Sequence, residues 1–533
     1  MPELNWVGKD KVITHHLDVP YRVLDRQYSF DEEGQHAEDN GSENMIIHGD
    51  NLEALKALLL RYEGKVDCIY IDPPYNTGNE GWVYNDAVND PRIKKWLGEV
   101  VGKEGEDLTR HDKWLCMMYP RLRLLQRLLS PTGAIFISID DNEAANLRLI
   151  CDEIFGSANH VATFIWRSRQ RADNRNISMI STDHEYVHCY SKLPGGFVAA
   201  GKQIDVSKYK NPDNDPRGPW ASIDLSGLAN AQQRPNLHYT ITDPATGIEY
   251  PPNPNRGWSK RRENVEAMIS EGRILFPKSP KGRPREKKFL SVLRSQRTGF
   301  SSVLPETVGF TTNGTREMRK LFSSPVFDFP KSVDLVEELI EQATPKGGLV
   351  LDSFAGSGTT AHACLRASLR DGVKRNFILV ELGDYVENVT AERIRRVIGG
   401  YGKGSTYTPG TGGDFSFYEL GSPLLIDGNL NPEVGLERVR EYIWFTETGE
   451  AFQPGSTVAH RDFLGRSRAG VGYFFAFDKH APTVLDREYL VSIPAECASE
   501  SYVIYADTCV LSDQELAGHA ITFKKIPRDI TRL

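Results

Sequence analysis

The sequence has no run of apolar residues near the roughly 18–20 that a bilayer span requires. Its first ten residues, MPELNWVGKD, lack the apolar core of a secretory leader. Cysteine is sparse: seven of 533 residues, at 68, 116, 151, 189, 364, 497 and 509, with no C-x-x-C pair. An odd, unpatterned set argues against a disulfide framework and a structural zinc site, and for a reducing, cytoplasmic compartment. His111, His362 and the neighbours His15 and His16 have no Cys or His partner at metal-ligand spacing, so no metal is expected. The H-x-E and P-C-x-x-C pair of a zinc deaminase is missing too. Basic charge is not in excess: 64 Lys and Arg stand against 72 Asp and Glu, a net charge of −8. The chain is therefore not coated in positive charge, although a local basic face on an acidic protein still binds phosphate. Internal repeats are absent.

What remains is an ordinary globular composition, 39% hydrophobic, 26% charged and 10% aromatic, in a chain long enough for about three domains. Two strand–turn–helix units lie far apart. The apolar run Val66–Ile71 ends in Asp72-Pro73-Pro74-Tyr75; Gly348–Leu351 ends in Asp352-Ser353-Phe354-Ala355-Gly356-Ser357-Gly358, followed by a helical pattern over 361–369. A further strand, Phe377–Val380, ends at Glu381. Ala134–Ile139 reads as a buried strand after an amphipathic helix carrying Leu122, Leu125, Leu128 and Leu129. Short apolar strands alternating with helices predict a parallel α/β sheet. Residues 166–324 differ: rich in Pro, Gly, Asn, Ser and Arg, they read as an inserted domain. A loop over 401–413 precedes a strand at 415–420, and 421–533 mixes helix and strand patterns.

Both turns carry chemistry. In open α/β sheets ligands bind beyond the C-terminal strand ends. Two prolines stiffen the first turn and remove two N–H donors. An exocyclic amine can then donate to the Asp72 carboxylate and to the Pro73 carbonyl, with its lone pair aimed at an electrophile. Tyr75 offers a flat face for stacking a base taken out of a helix. In the second turn, Gly356 and Gly358 let backbone approach a ligand closely. No lysine follows Gly358, which argues against an ATP phosphate cradle. Glu381, about two dozen residues on, is placed to accept from ribose hydroxyls. A ribose-bearing cofactor without pyrophosphate fits, and S-adenosylmethionine is one.

These residues resemble a DNA adenine-N6 methyltransferase of the β arrangement, with the D-P-P-Y turn ahead of the F-x-G-x-G turn and a long insert between. Further segments are similar to the modification (Mod) subunits of Type III restriction–modification systems: Trp6–Asp10, the G-D-N run at Gly49-Asp50-Asn51, Ile137–Glu143 (ISIDDNE), Phe327–Ser332 (FDFPKS) and Phe523–Ile530. Ser332 stands where the family usually has proline. The resemblance implies a Rossmann-like α/β methyltransferase with a mixed, mostly parallel seven-stranded sheet and a small C-terminal α+β domain. It places an N-terminal arm at 1–44, core halves at 45–165 and 325–420, a target-recognition insert at 166–324 and a C-terminal domain at 421–533. It implies that Asp72, Pro73, Pro74 and Tyr75 hold a flipped adenine. Asp352, Phe354, Ala355, Gly356, Gly358 and Glu381 would line an S-adenosylmethionine pocket. Lys331 and Ser332 would lie near the methionine end, and Asp50 by the cofactor adenine. Expected partners are double-stranded DNA, a second copy of the chain and a Res helicase-nuclease subunit, with no membrane.

Within the insert, residues 258–297 hold twelve Lys or Arg and four Asp or Glu. Lys260, Arg261, Arg262, Arg283, Arg285, Lys287 and Lys288, with Lys278, Lys281 and the aromatic Trp258, are expected to contact DNA phosphate and grooves. Trp166–Arg171 forms a smaller basic patch. Two other readings stay open. Cytosine-N4 methylation uses a similar amine, although Ser in place of Asp72 is more usual there. A non-catalytic DNA-specificity subunit with a decayed pocket is argued against by the intact turns.

Overall fold

The computed structural model describes residues 4–77, 95, 98–99, 110–173, 179–293, 297–450, 452 and 460–527. Gly78, Arg294 and the last residues of the 523–530 segment lie outside that set. The chain forms two compact units, residues 1–200 with 301–533, and residues 201–300.

The larger unit is built on ten strands: β1 Arg22–Asp31, β2 Gly34–His36, β3 Met45–His48, β4 Val66–Ile71, β5 Leu129–Ile139, β6 His160–Arg167, β7 His184–Ser191, β8 Gly348–Asp352, β9 Arg375–Glu381 and β10 Phe415–Pro423. Their order is β2-β1-β10-β3-β9-β8-β4-β5-β7-β6. From β10 to β5 every neighbour is parallel. Two antiparallel strands close each edge. The sheet thus has ten strands where seven were expected. Residues 22–36, expected as an arm, supply β1 and β2, which join through β10.

Parallel strands covered on both faces are near-continuous apolar runs, and the middle stretches of β4, β5 and β9 follow that rule. Ile69, Ile71, Ile135, Ile137, Ile378 and Val380 are fully buried. Helices α1 Asn51–Tyr62 and α2 Arg110–Leu128 lay Leu55, Leu58, Leu59, Trp114, Leu122 and Leu125 into the same core. Each such side chain contributes on the order of 1.5–3 kcal/mol by leaving water. Helices α3 Ala144–Cys151, α4 Val333–Ala343, α5 Thr359–Asp371, α6 Glu392–Gly399 and α7 Leu436–Thr448 complete the elements used below.

The expected insert boundaries contract. Of the expected insert, residues 166–167 end β6 and 184–191 form β7 of the large sheet, and Ile165 bridges Val303 on the chain's return. Trp166 belongs to β6, is 1% exposed, and donates from Nε1 to the Gly309 carbonyl at 2.8 Å. The separate unit, 201–300, holds a three-stranded antiparallel sheet of Trp220–Asp224, Ile274–Leu275 and Arg285–Phe289, plus the helix Arg262–Ser270. Leu225, Tyr239, Ile241, Trp258, Val265, Met268 and Ile274 form its core.

After β10, α7 sends Phe445 into the large core. Its other face, with Val439, Ile443 and Trp444, packs on a four-stranded sheet of Phe463–Arg466, Val471–Phe475, Ser501–Ala506 and Ile521–Lys525. Among the described residues, no helix is long and apolar enough to cross a membrane.

Candidate active site

Strands β4 and β8 are hydrogen-bonded neighbours, with Cys68 opposite Val350 and Ile69 opposite Leu351. Their C-terminal ends therefore deliver Asp72 and Asp352 side by side, although 280 positions separate them in sequence. One cleft is lined by Tyr70 and Asp72 from the first segment, by Phe327, Pro330 and Lys331, and by Asp352, Phe354, Ala355, Ser357, Thr359 and Thr360 from the second.

The first turn is held from several directions. Trp114 Nε1 on α2 donates to the Pro74 carbonyl at 2.7 Å. The Pro73 carbonyl accepts from no described residue. Asn76 leaves the turn in the left-handed region at φ 57°. Its Nδ2 donates to the Arg110 carbonyl at 3.2 Å and to Glu143 Oε1. Glu143 is fully buried, and also pairs with His111 Nδ1 at 2.6 Å and accepts from Asn146 Nδ2 at 2.8 Å. The ISIDDNE run thus ends in the residue that clamps the D-P-P-Y turn.

Asp72 is 5% exposed. Its Oδ2 lies 2.9 Å from Lys331 Nζ, while Oδ1 is buried with no hydrogen-bond partner among the described residues. Burial raises the Asp72 carboxyl above its ordinary range, and Lys331 opposes that rise. Burial works to lower the Lys331 ammonium, but Asp72 and Glu185 carry it above the ordinary lysine value. Lys331 Nζ also lies 3.4 Å from Glu185 Oε2 on β7 and 4.6 Å from the Tyr75 ring centre. Tyr75 donates its hydroxyl to Glu185 Oε2 at 2.8 Å. Its half-buried ring is therefore fixed in place.

The second turn is built from the inside outward. Asp352 Oδ1 accepts from Phe354 N at 2.9 Å, and Oδ2 accepts from Thr360 Oγ1. Burial pushes the Asp352 carboxyl up to about 7. Glu381, at the end of β9, accepts from Gly356 N at 2.7 Å and from Gly383 N at 2.9 Å. Gly356 and Gly358 have φ of 51° and 80°, and a Cβ at Gly358 would meet Thr390 at 3.2 Å. Both glycines are thus required by backbone conformation, and Gly358 by close approach as well. Beneath them, the buried Arg393 of α6 donates to Ser357 Oγ at 2.8 Å and to Thr359 Oγ1 at 2.9 Å. Ser353 Oγ is buried without a hydrogen-bond partner among the described residues.

The structure brings Asp72, Lys331, Asp352, Phe354 and Ala355 into one cleft, with Tyr75 beside Lys331, and with Gly356, Gly358 and Glu381 forming the turn behind it. Two residues expected near a cofactor are engaged elsewhere. Ser332 is fully buried and donates to the Val308 carbonyl at 2.8 Å. Asp50 caps α1, accepting from Leu52 N at 2.8 Å, and meets Arg121 Nη2 at 3.2 Å. Its neighbour Asn51 makes the link to the second turn, donating to the Ser353 carbonyl at 2.8 Å. Glu185, Trp114 and Arg393 were not anticipated, and Glu143 is marked in the sequence only as the end of the ISIDDNE run. No local spacing reveals their roles, because the contacts they make to the two turns cross 36 to 110 positions.

The basic residues of the insert divide. Arg261, Arg262, Arg283, Arg285, Lys278 and Lys281 are exposed, and Lys288 and Lys260 are partly so. Lys260 lies 3.2 Å from Glu286. Lys287 corrects the expectation: it is 4% exposed and paired with Asp213 at 2.6 Å and Asp215 at 2.5 Å. Its charge is neutralised within the unit, so it is no free phosphate contact. Trp258 is likewise core, 2% exposed, with Nε1 donating to the Tyr239 carbonyl at 2.7 Å. Among the described residues, no cluster of three His, Cys, Asp or Glu is placed to hold a metal ion.

A carboxylate–proline turn facing a glycine turn across one cleft at a parallel sheet's C-terminal edge is the arrangement of an amino-methyltransferase. The chain belongs to the N6/N4 family described as DNA methylase, which matches residues 66–392. It is 33% identical over 420 residues to the Type III restriction-modification enzyme StyLTI Mod subunit of Salmonella typhimurium, covering 73% of this chain and 62% of that one. It is 32% identical over 426 residues to the EcoPI Mod subunit of Escherichia phage P1, covering 72% and 64%. It is 29% identical over 372 residues to the Type II methyltransferase M.KpnI of Klebsiella pneumoniae, covering 64% and 81%. The chain thus spans less than two thirds of the length of these two Mod relatives.

Proposed function

We propose that the chain moves a methyl group from S-adenosylmethionine to N6 of a flipped adenine in double-stranded DNA, as the modification subunit of a Type III restriction–modification system. The observation that carries this reading is Asp72 Oδ1, which lies in the cleft beside the glycine turn and has no hydrogen-bond partner among the described residues, next in sequence to the Pro73 carbonyl, which accepts from none of them either. A buried carboxylate oxygen without a donor is uncommon unless a ligand fills it. The second turn fits the cofactor: positive-φ glycines open its backbone, Ser353 Oγ has no hydrogen-bond partner among the described residues, and Glu381 retains lone pairs beyond its two backbone bonds. When bound, S-adenosylmethionine supplies a sulfonium methyl that is already electrophilic, so no protein nucleophile is needed.

The protein's part is orientation and charge. The adenine N6 lone pair is delocalised into the ring and attacks poorly. Accepting both N6 protons, at Asp72 Oδ1 and the Pro73 carbonyl, favours a tetrahedral nitrogen and stabilises the positive charge that develops there. Tyr75 stacks the base. Holding the amine in line with the methyl supplies the entropic part. The proton leaves the cationic N6 after transfer, passing by way of Asp72 Oδ1 to solvent, so Asp72 need not be a strong base.

We further propose that it acts as a homodimer on DNA and partners a Res helicase-nuclease, with the exposed arginines of 201–300 meeting phosphate; the names of the relatives, Mod subunits of Type III restriction-modification enzymes, support its being one subunit of a larger enzyme. Single-molecule sequencing of DNA from a host expressing only this chain tests the reading. It should find N6-methyladenine at one short motif. N4-methylcytosine would redirect the assignment to the other exocyclic amine, and unmodified DNA would overturn it.

A further inference from the structure

We propose that Lys331 and Glu185 are positioning residues for methyl transfer: they tie down one oxygen of Asp72, present the other to the incoming amine and keep that carboxylate ionised. The proposal rests on the reading of the cleft given above. Three segments converge to make the arrangement. Asp72 follows β4, Glu185 lies on β7, and Lys331 precedes α4. Lys331 Nζ sits between the two carboxylates, 2.9 Å from Asp72 Oδ2 and 3.4 Å from Glu185 Oε2. Glu185 Oε2 receives the Tyr75 hydroxyl as well. One ammonium therefore sets both the hydrogen-bond acceptor and the stacking ring that the base would meet.

Stability alone does not account for this cluster. Well-packed apolar residues commonly replace a buried ion pair at no cost, whereas here two carboxylates share one cation and Asp72 Oδ1 is buried without a hydrogen-bond partner among the described residues. The titratable and charged groups facing Asp72 are Tyr70 from β4, Tyr75 from its own turn, Glu185 from β7, Asp352 from β8 and Lys331. All but Lys331 are acids. Without the lysine, Asp72 and Glu185 stand together in low dielectric, and one of them takes up a proton. A protonated Asp72 stabilises a developing ammonium far less well.

Single-turnover methylation of duplex DNA, followed across pH at saturating S-adenosylmethionine, tests this with K331M, K331R, E185Q and K331M/E185Q. Calorimetric cofactor binding and thermal melting serve as controls for folding. K331M should bind cofactor yet transfer methyl at least about a hundredfold more slowly at neutral pH. Its acid limb should rise by about one pH unit or more. K331R should recover part of the rate. K331M/E185Q should bring the limb back down, because one of the two facing carboxylates is gone; a solely structural lysine gives no such compensation. A folded K331M with the wild-type rate and limb would overturn the proposal. If K331M does not fold, E185Q decides: it keeps an acceptor for Tyr75 and Lys331 while removing a charge, so its acid limb must move to lower pH, and an unmoved limb is contrary. Failure of the wild-type chain to methylate DNA at all is a separate result, which sinks the functional reading beneath this one.

Discussion

Asp352 shows how burial turns a local hydrogen-bond acceptor into a pH-sensitive part of the fold. Desolvation raises its carboxyl to about 7, against the donors Thr360 and Phe354 N. In the unfolded chain an Asp ionises near ~3.9. Between those values the folded state binds more protons than the unfolded state, so this residue's contribution to stability is greatest at low pH and is lost as pH rises towards 7. Urea unfolding at pH 5 and pH 8 should therefore show the wild type losing more stability than D352N over that interval, since Asn does not titrate. An equal loss in both would contradict the assignment. Trp114 makes a second point. Its Nε1 bond to Pro74 is buried, so W114F should leave that carbonyl unsatisfied at a cost of about 1–3 kcal/mol, visible as a lower Tm. Asp72 and Asp352 are legible in the sequence because each ends a short apolar run and is followed by residues whose backbone chemistry is unusual. Glu185 and Trp114 are not, since their partners lie 110 and 40 positions away. Trp258 misleads because an aromatic among arginines looks exposed until the packing around it is known.

At the scale of elements, the site depends on how α1, α2 and α3 brace the two turns. Glu143, just before α3, receives donors from Asn76, His111 and Asn146. E143A should remove the buried acceptor shared by Asn76, His111 and Asn146, lower stability by about 1–3 kcal/mol and loosen the D-P-P-Y turn. Methylation kinetics should then show a raised KM for DNA together with a reduced kcat; an unchanged profile would free the ISIDDNE segment from this role. The strands carrying the chemistry are readable to within a residue or two: Val66–Ile71 as expected, Gly348–Asp352 and Arg375–Glu381 slightly longer. Their mostly buried centres write themselves as short apolar runs, Cys68–Ile71, Leu349–Leu351 and Phe377–Val380. The outer antiparallel strands mix polar with apolar residues, as in HEYVHCYS of β7, and leave no such trace. That is why β1 reads as an arm, and why β6 and β7 read as an end of the core and a part of the insert. Asp50 illustrates the same limit. Its position before a helix is plain, but only the fold reveals that it serves as a cap and a partner of Arg121.

The whole molecule divides its work between a sheet that builds the cleft and a separate unit, 201–300, that gathers exposed arginines on a chain of net charge −8. If those arginines meet phosphate, replacing Arg261, Arg262, Arg283 and Arg285 with Gln should weaken DNA binding. It should also flatten the dependence of log K on log salt by about one for each phosphate no longer neutralised. K287M should behave differently, destabilising the unit by stranding Asp213 and Asp215 while leaving the salt slope of the folded fraction unchanged. The composition of 166–324 announces an insert, but its limits are set by which segments pair with the large sheet, information no local pattern holds. The central claim, that Asp72 and the glycine turn act as one methyl-transfer site on an exocyclic amine, is tested most directly by mass spectrometry of nucleosides. Duplex DNA would be incubated with S-adenosylmethionine and either the wild-type chain or D72A, then digested. The account predicts N6-methyladenine from the wild type and essentially none from a D72A protein that still binds the cofactor; equal methylation by both would contradict it.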